Sequence, residues 1–137
     1  MRTIACDGVL IEKGKILLIR RGHPPYKGEW AIPGGRLGED ETVEECLKRE
    51  MKEETGLEVE ILKLFGVYSK PERDPRKIVS IVYIVKRKDD SQVKAGDDAV
   101  EAQWFDLMQL PKLAFDHEEI LTDLKTILFQ KEPYRQG

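Results

Sequence analysis

A chain of 137 residues holds one domain with a single core, so residues 1–137 are read as one unit. Charged residues are 36% and hydrophobic residues 40%, and a net charge of -3 supplies no positive field for nucleic acid. No stretch nears 18 apolar residues and the N-terminus lacks a signal-peptide core, so a cytoplasmic protein with no membrane partner is expected.

Thr3 to Glu12 is apolar and β-rich, and Lys13-Gly14-Lys15 predicts a hairpin turn into a buried strand over Ile16 to Ile19. Cys6 in the first strand and Cys46 on a helix face predict buried thiols in a reducing compartment, not a disulfide frame. The breakers between Gly22 and Gly28 predict a loop, followed by a short strand over Trp30 to Ile32 and a turn at Pro33-Gly34-Gly35. Thr42 and Glu45 form a capping box for a helix that Gly56 ends in a left-handed turn. Leu57 to Tyr68 is a long strand, Ser69 to Arg76 a polar loop, and Ile78 to Val85 another strand. A polar connection over Arg87 to Asp98 leads to a short strand at Ala102 to Phe105 and a turn at Leu110-Pro111. Asp116 should cap a last helix whose Ile120, Leu121, Leu124, Ile127 and Leu128 share one apolar face, with a polar tail from Lys131. Strands outnumber helices and one helix lies between two strand groups, which predicts an α/β protein with helices on both faces of a mixed sheet.

The first helix carries an anomaly. Stepping 100° per residue, Val43, Cys46, Leu47 and Met51 share an apolar face, yet Glu50 and Glu54 project into that face and Glu53 lies on its flank. A solvated surface explains Glu44 and Glu45, and Glu41 could bridge to Arg49. Carboxylates on a buried face are costly unless a cation meets them, and oxygen ligands at i, i+3 and i+4 suit a hard divalent ion.

From Gly35 the chain runs five residues to Glu41, seven more, then Arg49-Glu50-Met51-Lys52-Glu53-Glu54-Thr55-Gly56-Leu57. Residues 35–57 thus resemble the complete Nudix box, G-x5-E-x7-R-E-U-x-E-E-x-G-U, with Met51 and Leu57 at the aliphatic positions. The resemblance implies an α/β/α sandwich with a mixed sheet, and an enzyme that hydrolyses a nucleoside diphosphate linked to another moiety with Mg2+, or else Mn2+. It also implies Glu50 and Glu54 as metal ligands, Glu53 as a third ligand either direct or through water, and the Gly34 carbonyl as their companion. Arg49 then holds Glu41 or orients Glu50, and Gly35 lets the backbone pass close to the phosphates. The general base is Glu53 or an acid of the Asp97, Asp98 and Glu101 stretch, with Asp98 and Glu101 jointly preferred.

Pro71 to Arg76 and Leu113-Ala114-Phe115-Asp116-His117 resemble the ADP-ribose-directed branch, which implies hydrolysis of ADP-ribose to AMP and ribose 5-phosphate. A house-cleaning nucleoside triphosphatase of the MutT type and a non-catalytic ADP-ribose sensor are the alternatives. Sensors usually carry an appended DNA-binding domain, which is not expected within 137 residues beside this one, and the intact glutamate set favours catalysis. Arg20, Arg36, Arg73 and Arg76, with Arg21, are candidates for phosphate contacts, because guanidinium donates a bidentate fork. Tyr68 or Phe115 could stack on adenine, while Trp30 reads as core and His117 as a packing or capping group. Besides the nucleoside diphosphate sugar, a second copy completing the pocket is the one partner left open.

Overall fold

The computed structural model describes residues 1–96 and 98–129. Asp97 and the tail from Lys131 lie outside the described residues. The strands are β1 (Ile4–Glu12), β2 (Lys15–Arg21), β3 (Trp30–Ala31), β4 (Gly34–Arg36), β5 (Val59–Tyr68), β6 (Val79–Arg87) and β7 (Ala99–Asp106). The helices are α1 (Val43–Thr55) and α2 (His117–Leu128). Seven strands form a mixed sheet in the order β3-β2-β1-β6-β5, with β4 added to β1 and β7 to β2. Among the described strand pairs, β1 and β6 run parallel and the others are antiparallel.

β1 organises the molecule. Its first half pairs with β4 through Ala5, Cys6 and Asp7, and its far end pairs with β2 through Ile11 and Glu12. Two strands therefore leave β1 at different heights, and the functional cavity is lined from both. Alternation along β1 sends Cys6 and Leu10 into one core with Leu47 and Met51 of α1. Val9 enters the opposite core with Ile120, Leu121 and Leu124 of α2. Strand periodicity of two thus supplies both helix-packing faces, giving the α/β/α sandwich.

The ends of α1 follow local chemistry. Glu45 N donates to Thr42 Oγ1 at 3.1 Å, and Thr42 N donates to Glu45 Oε1 at 2.8 Å, so two orphan donors are satisfied. Gly56 closes the helix at φ 78°.

Four local expectations need correction. Gly34 and Gly35 are not in a turn: they are paired with Asp7 and Cys6 as strand β4. β7 starts at Ala99 and places Glu101 inside a strand, opposite Arg20. Asp116 stands at the start of α2, but its carboxylate makes no cap because it is held by Arg73. Ile127 and Leu128 are exposed, since the last turn of α2 runs past the core that buries Ile120, Leu121 and Leu124. Cys6 and Cys46 are free, buried thiols that share one core. Contact with Cys6 and burial hold the Cys46 thiol far above its usual range.

Candidate active site

A cavity of about 330 Å³ opens where β1, β2, β4 and the loops before β6 and α2 converge. One wall is acidic and is assembled around Gly34 and Gly35. Glu54, 8% exposed, accepts from Gly34 N at 2.9 Å through Oε1. A Cβ on Gly34 would collide with the Asp7 carboxylate, and one on Gly35 would collide with the carboxylate of Glu50. Both glycines are needed for close approach of carboxylates to the backbone, a different reason from the phosphate contact expected of Gly35.

Asp7 is the acid that sequence inspection missed. It is 5% exposed, takes a hydrogen bond from Ser80, and lies near Glu50 and Glu54. Its Oδ2 is buried without a partner. Burial pushes the Asp7 carboxyl up to about 7, against the Ser80 bond and Arg73. Burial likewise pushes Glu54 up to about 8; the Gly34 N–H opposes this and the Glu50 and Asp7 charges add to it.

Arg49 ties the helix acids together. Its Nε and Nη2 reach the two oxygens of Glu41 at 3.0 and 2.6 Å. Nη1 donates to Glu50 Oε2 at 2.9 Å and to Glu53 Oε1 at 3.0 Å, and Nη2 also reaches the Arg36 carbonyl. Arg49 thus bonds to both Glu41 and Glu50. The Arg49 bonds and the Gly38 N–H hold Glu41 down at about 2.

Basic groups line the same cavity, and the fold redistributes the arginines. Arg36, Arg73 and Arg76 line the cavity with Arg21, whereas Arg20 does not. Successive side chains of a strand point to opposite faces, and the β2–β7 register shifts between Arg20 and Arg21. Arg20 therefore pairs with Glu101 at 2.8 Å away from the cavity. Arg73 is buried: Nε and Nη2 form a fork on Asp116, and Nη1 reaches the Ile78 carbonyl. Arg76 forks onto Asp74.

Of the acids named as base, Asp98 lines the cavity, with Oδ1 at 3.7 Å from His23 Nδ1. Glu101 is committed to Arg20, and Glu53 lies exposed on Arg49; neither lines the cavity. Tyr68, a stacking candidate, instead donates to Asp123 at 2.8 Å. Phe115 does line the cavity. His117 is buried and accepts from Ile32 N at Nδ1, 3.0 Å away, which fixes the neutral ring.

The donor set suits a hard divalent ion: every candidate ligand is an oxygen, and Glu54 and Asp7 are buried carboxylates whose burial outweighs the nearby Arg21 and Arg73 charges. Among the described residues, no three acids, histidines or cysteines are gathered round one point. The acids are instead held on Arg49, Gly34 and Ser80.

The fold, with box acids and arginines lining one cavity, points to a family. The chain belongs to the NUDIX domain family, whose model matches residues 1–124, and it is a Nudix hydrolase. It is 54% identical over 122 residues to an ADP-ribose pyrophosphatase of Methanocaldococcus jannaschii, covering 88% of this chain and 72% of that relative. Among solved structures it resembles a MutT NUDIX hydrolase from Burkholderia pseudomallei, with TM-score 0.80, 27% identity, and 89% and 97% of the two chains covered. It also resembles a bifunctional NMN adenylyltransferase/ADP ribose pyrophosphatase from Francisella tularensis complexed with AMP and a Mn ion. There the TM-score is 0.77 at 26% identity, over 93% of this chain and 42% of that one.

Proposed function

We propose that this Nudix hydrolase cleaves the pyrophosphate bond of ADP-ribose with water, yielding AMP and ribose 5-phosphate. The observation that carries this reading is the pairing of two kinds of group in one cavity: Asp7, Glu50 and Glu54 line it together with Arg21, Arg73 and Arg76. A pyrophosphate needs both, because its negative charge must be neutralised before a nucleophile can approach. Identity to the M. jannaschii enzyme supports ADP-ribose as the substrate.

Glu50 and Glu54 are the residues that would hold the divalent ion, with the Gly34 carbonyl beside them and Mg2+ or Mn2+ as the cation. Such an ion, when bound, screens phosphate charge and makes a water more acidic. The protein's own groups do the positioning. Arg49 keeps the Glu50 carboxylate turned toward β4, and the Gly34 N–H fixes one oxygen of Glu54. Arg21 and Arg76 supply positive charge to the phosphoryl oxygens in the same cavity. Asp98 is the proposed base, because among the described candidates Glu53, Asp98 and Glu101 it alone lines the cavity; its carboxylate takes the proton of the attacking water. Water adds to one phosphorus, the bridging P–O bond breaks, and two phosphate monoesters leave.

Purified protein incubated with ADP-ribose and Mg2+, assayed by separation of AMP and ribose 5-phosphate, tests the substrate. A triphosphate panel run in parallel tests the MutT-type alternative. Turnover of triphosphates with ADP-ribose left intact overturns the substrate assignment.

A further inference from the structure

Three separate segments bring two guanidinium groups onto one aromatic ring. Arg21 ends β2, Arg76 lies in the loop before β6, and Phe115 precedes α2. The Arg21 guanidinium carbon is 4.9 Å from the Phe115 ring centroid, and that of Arg76 is 5.5 Å from it. Tyr26 packs edge-on against the same ring at 4.8 Å, and His117 lies tilted at 5.3 Å. Phe115 holds φ 56°, a left-handed conformation that a bulky residue adopts only when its surroundings impose it. The ring is thus enclosed by cations and aromatics, and stacking on adenine is not its evident use.

The hydrogen-bond state of each arginine separates their roles. All three nitrogens of Arg73 are engaged by Asp116 and Ile78, so it braces the wall. Arg76 is half-neutralised by its fork on Asp74 through Nε and Nη2. Arg21 gives Nε to the Pro25 carbonyl at 2.6 Å, but its Nη2 is buried without an acceptor. A buried donor left unpaired is expensive, and two cations pressed together add repulsion. Burial, and then Arg76, draw the Arg21 guanidinium down from its usual range. An anion entering the cavity relieves both costs, and the cation–π contacts hold both guanidinium groups in place before it arrives.

We propose that Arg21 and Arg76 form a phosphate clamp in this cavity, with Phe115 as the positioning residue that fixes the two guanidinium groups. The identity of the anion as a phosphoryl group of ADP-ribose rests on the function proposed above; the clamp itself rests on its own geometry. Arg21 lines the cavity and donates through its guanidinium group, and Phe115 touches no substrate.

Calorimetric titration with inorganic pyrophosphate in EDTA reads the clamp without the metal. Wild type should bind, Arg21→Ala should weaken binding about tenfold or more, and Arg76→Ala should weaken it less, since Asp74 already offsets its charge. Phe115→Leu should weaken binding and Phe115→Tyr should restore it. Lys63→Ala, an equal loss of charge at an exposed position on β5, should change nothing. With ADP-ribose as substrate, Arg21→Ala should raise KM with kcat little changed. Thermal melts of each variant check the fold. Absence of pyrophosphate binding by wild type, or equal binding by wild type and Arg21→Ala, overturns the clamp. If pyrophosphate binding behaves as expected but ADP-ribose is not cleaved, the clamp stands and the substrate reading fails. If ADP-ribose is cleaved with an unchanged KM in Arg21→Ala, the reverse holds.

Discussion

Lowering the pH should weaken the fold through His117 by an amount the structure allows us to work out. The ring is 3% exposed, its Nδ1 accepts from Ile32 N, and Arg73 lies nearby. Burial, then the Arg73 charge, lower its pKa from 6.5 to about 3. Between those values the unfolded chain binds a proton that the folded chain refuses. Stability from this group is therefore fully present above pH 6.5 and is lost as pH falls toward 3. At ~1.4 kcal/mol per pH unit below 6.5, the loss between pH 7.5 and pH 5 is about 2 kcal/mol. Asp7 and Glu54 act with the opposite sign. Their folded values of about 7 and about 8 exceed the ordinary carboxylate range, so their contribution is present at low pH and is lost as pH rises through those values. The total stability curve is thus a compromise, and the His117 part must be isolated by difference. Urea unfolding of wild type and His117→Asn in EDTA at pH 7.5 and 5.0 does this. The wild type should lose about 2 kcal/mol relative to the variant on going to pH 5. A pH-independent difference, or a His117 resonance that titrates near 6.5 in the folded protein, would refute the reasoning.

Glu54→Gln should lower kcat by ~10²–10³ and leave a folded protein, because it removes both a metal-holding charge and a buried acid. Steady-state rates across a Mg2+ series and a thermal melt check this; near-normal activity at low Mg2+ would end its assignment as a ligand. Gly35→Ala should displace the Glu50 carboxylate, which the new methyl would overlap, and so weaken Mn2+ binding. Mn2+ titration followed by electron spin resonance reads that loss directly, and wild-type affinity would contradict the packing argument. Asp98→Asn should reduce kcat while metal affinity holds, whereas Glu101→Gln, whose parent carboxylate is bound to Arg20 outside the cavity, should stay active. Single-turnover rates decide the base, and a failing Glu53→Gln beside an active Asp98→Asn would move the role to the helix.

What the amino-acid sequence determined alone was everything set by short range and by periodicity. Thr42 and Glu45 define the start of α1 and Gly56 its end through bonds within one helical turn, so no other part of the chain was needed to locate it. The wheel singled out Glu50 and Glu54 because a carboxylate among Cys46, Leu47 and Met51 is anomalous wherever the helix packs. Tertiary structure decided which groups meet that helix. Asp7 is an unremarkable acid in an apolar strand until β4 pairs with β1 and sets Gly34 against it. Arg20 and Arg21 are equivalent in composition, and only strand alternation, with a register shift between them, sends one to Glu101 and the other to the cavity. Asp116 reads as a helix cap by position, but a guanidinium 43 residues away takes its carboxylate. Each of these outcomes depends on contacts between segments far apart in the chain, and no local pattern carries the geometry of such contacts.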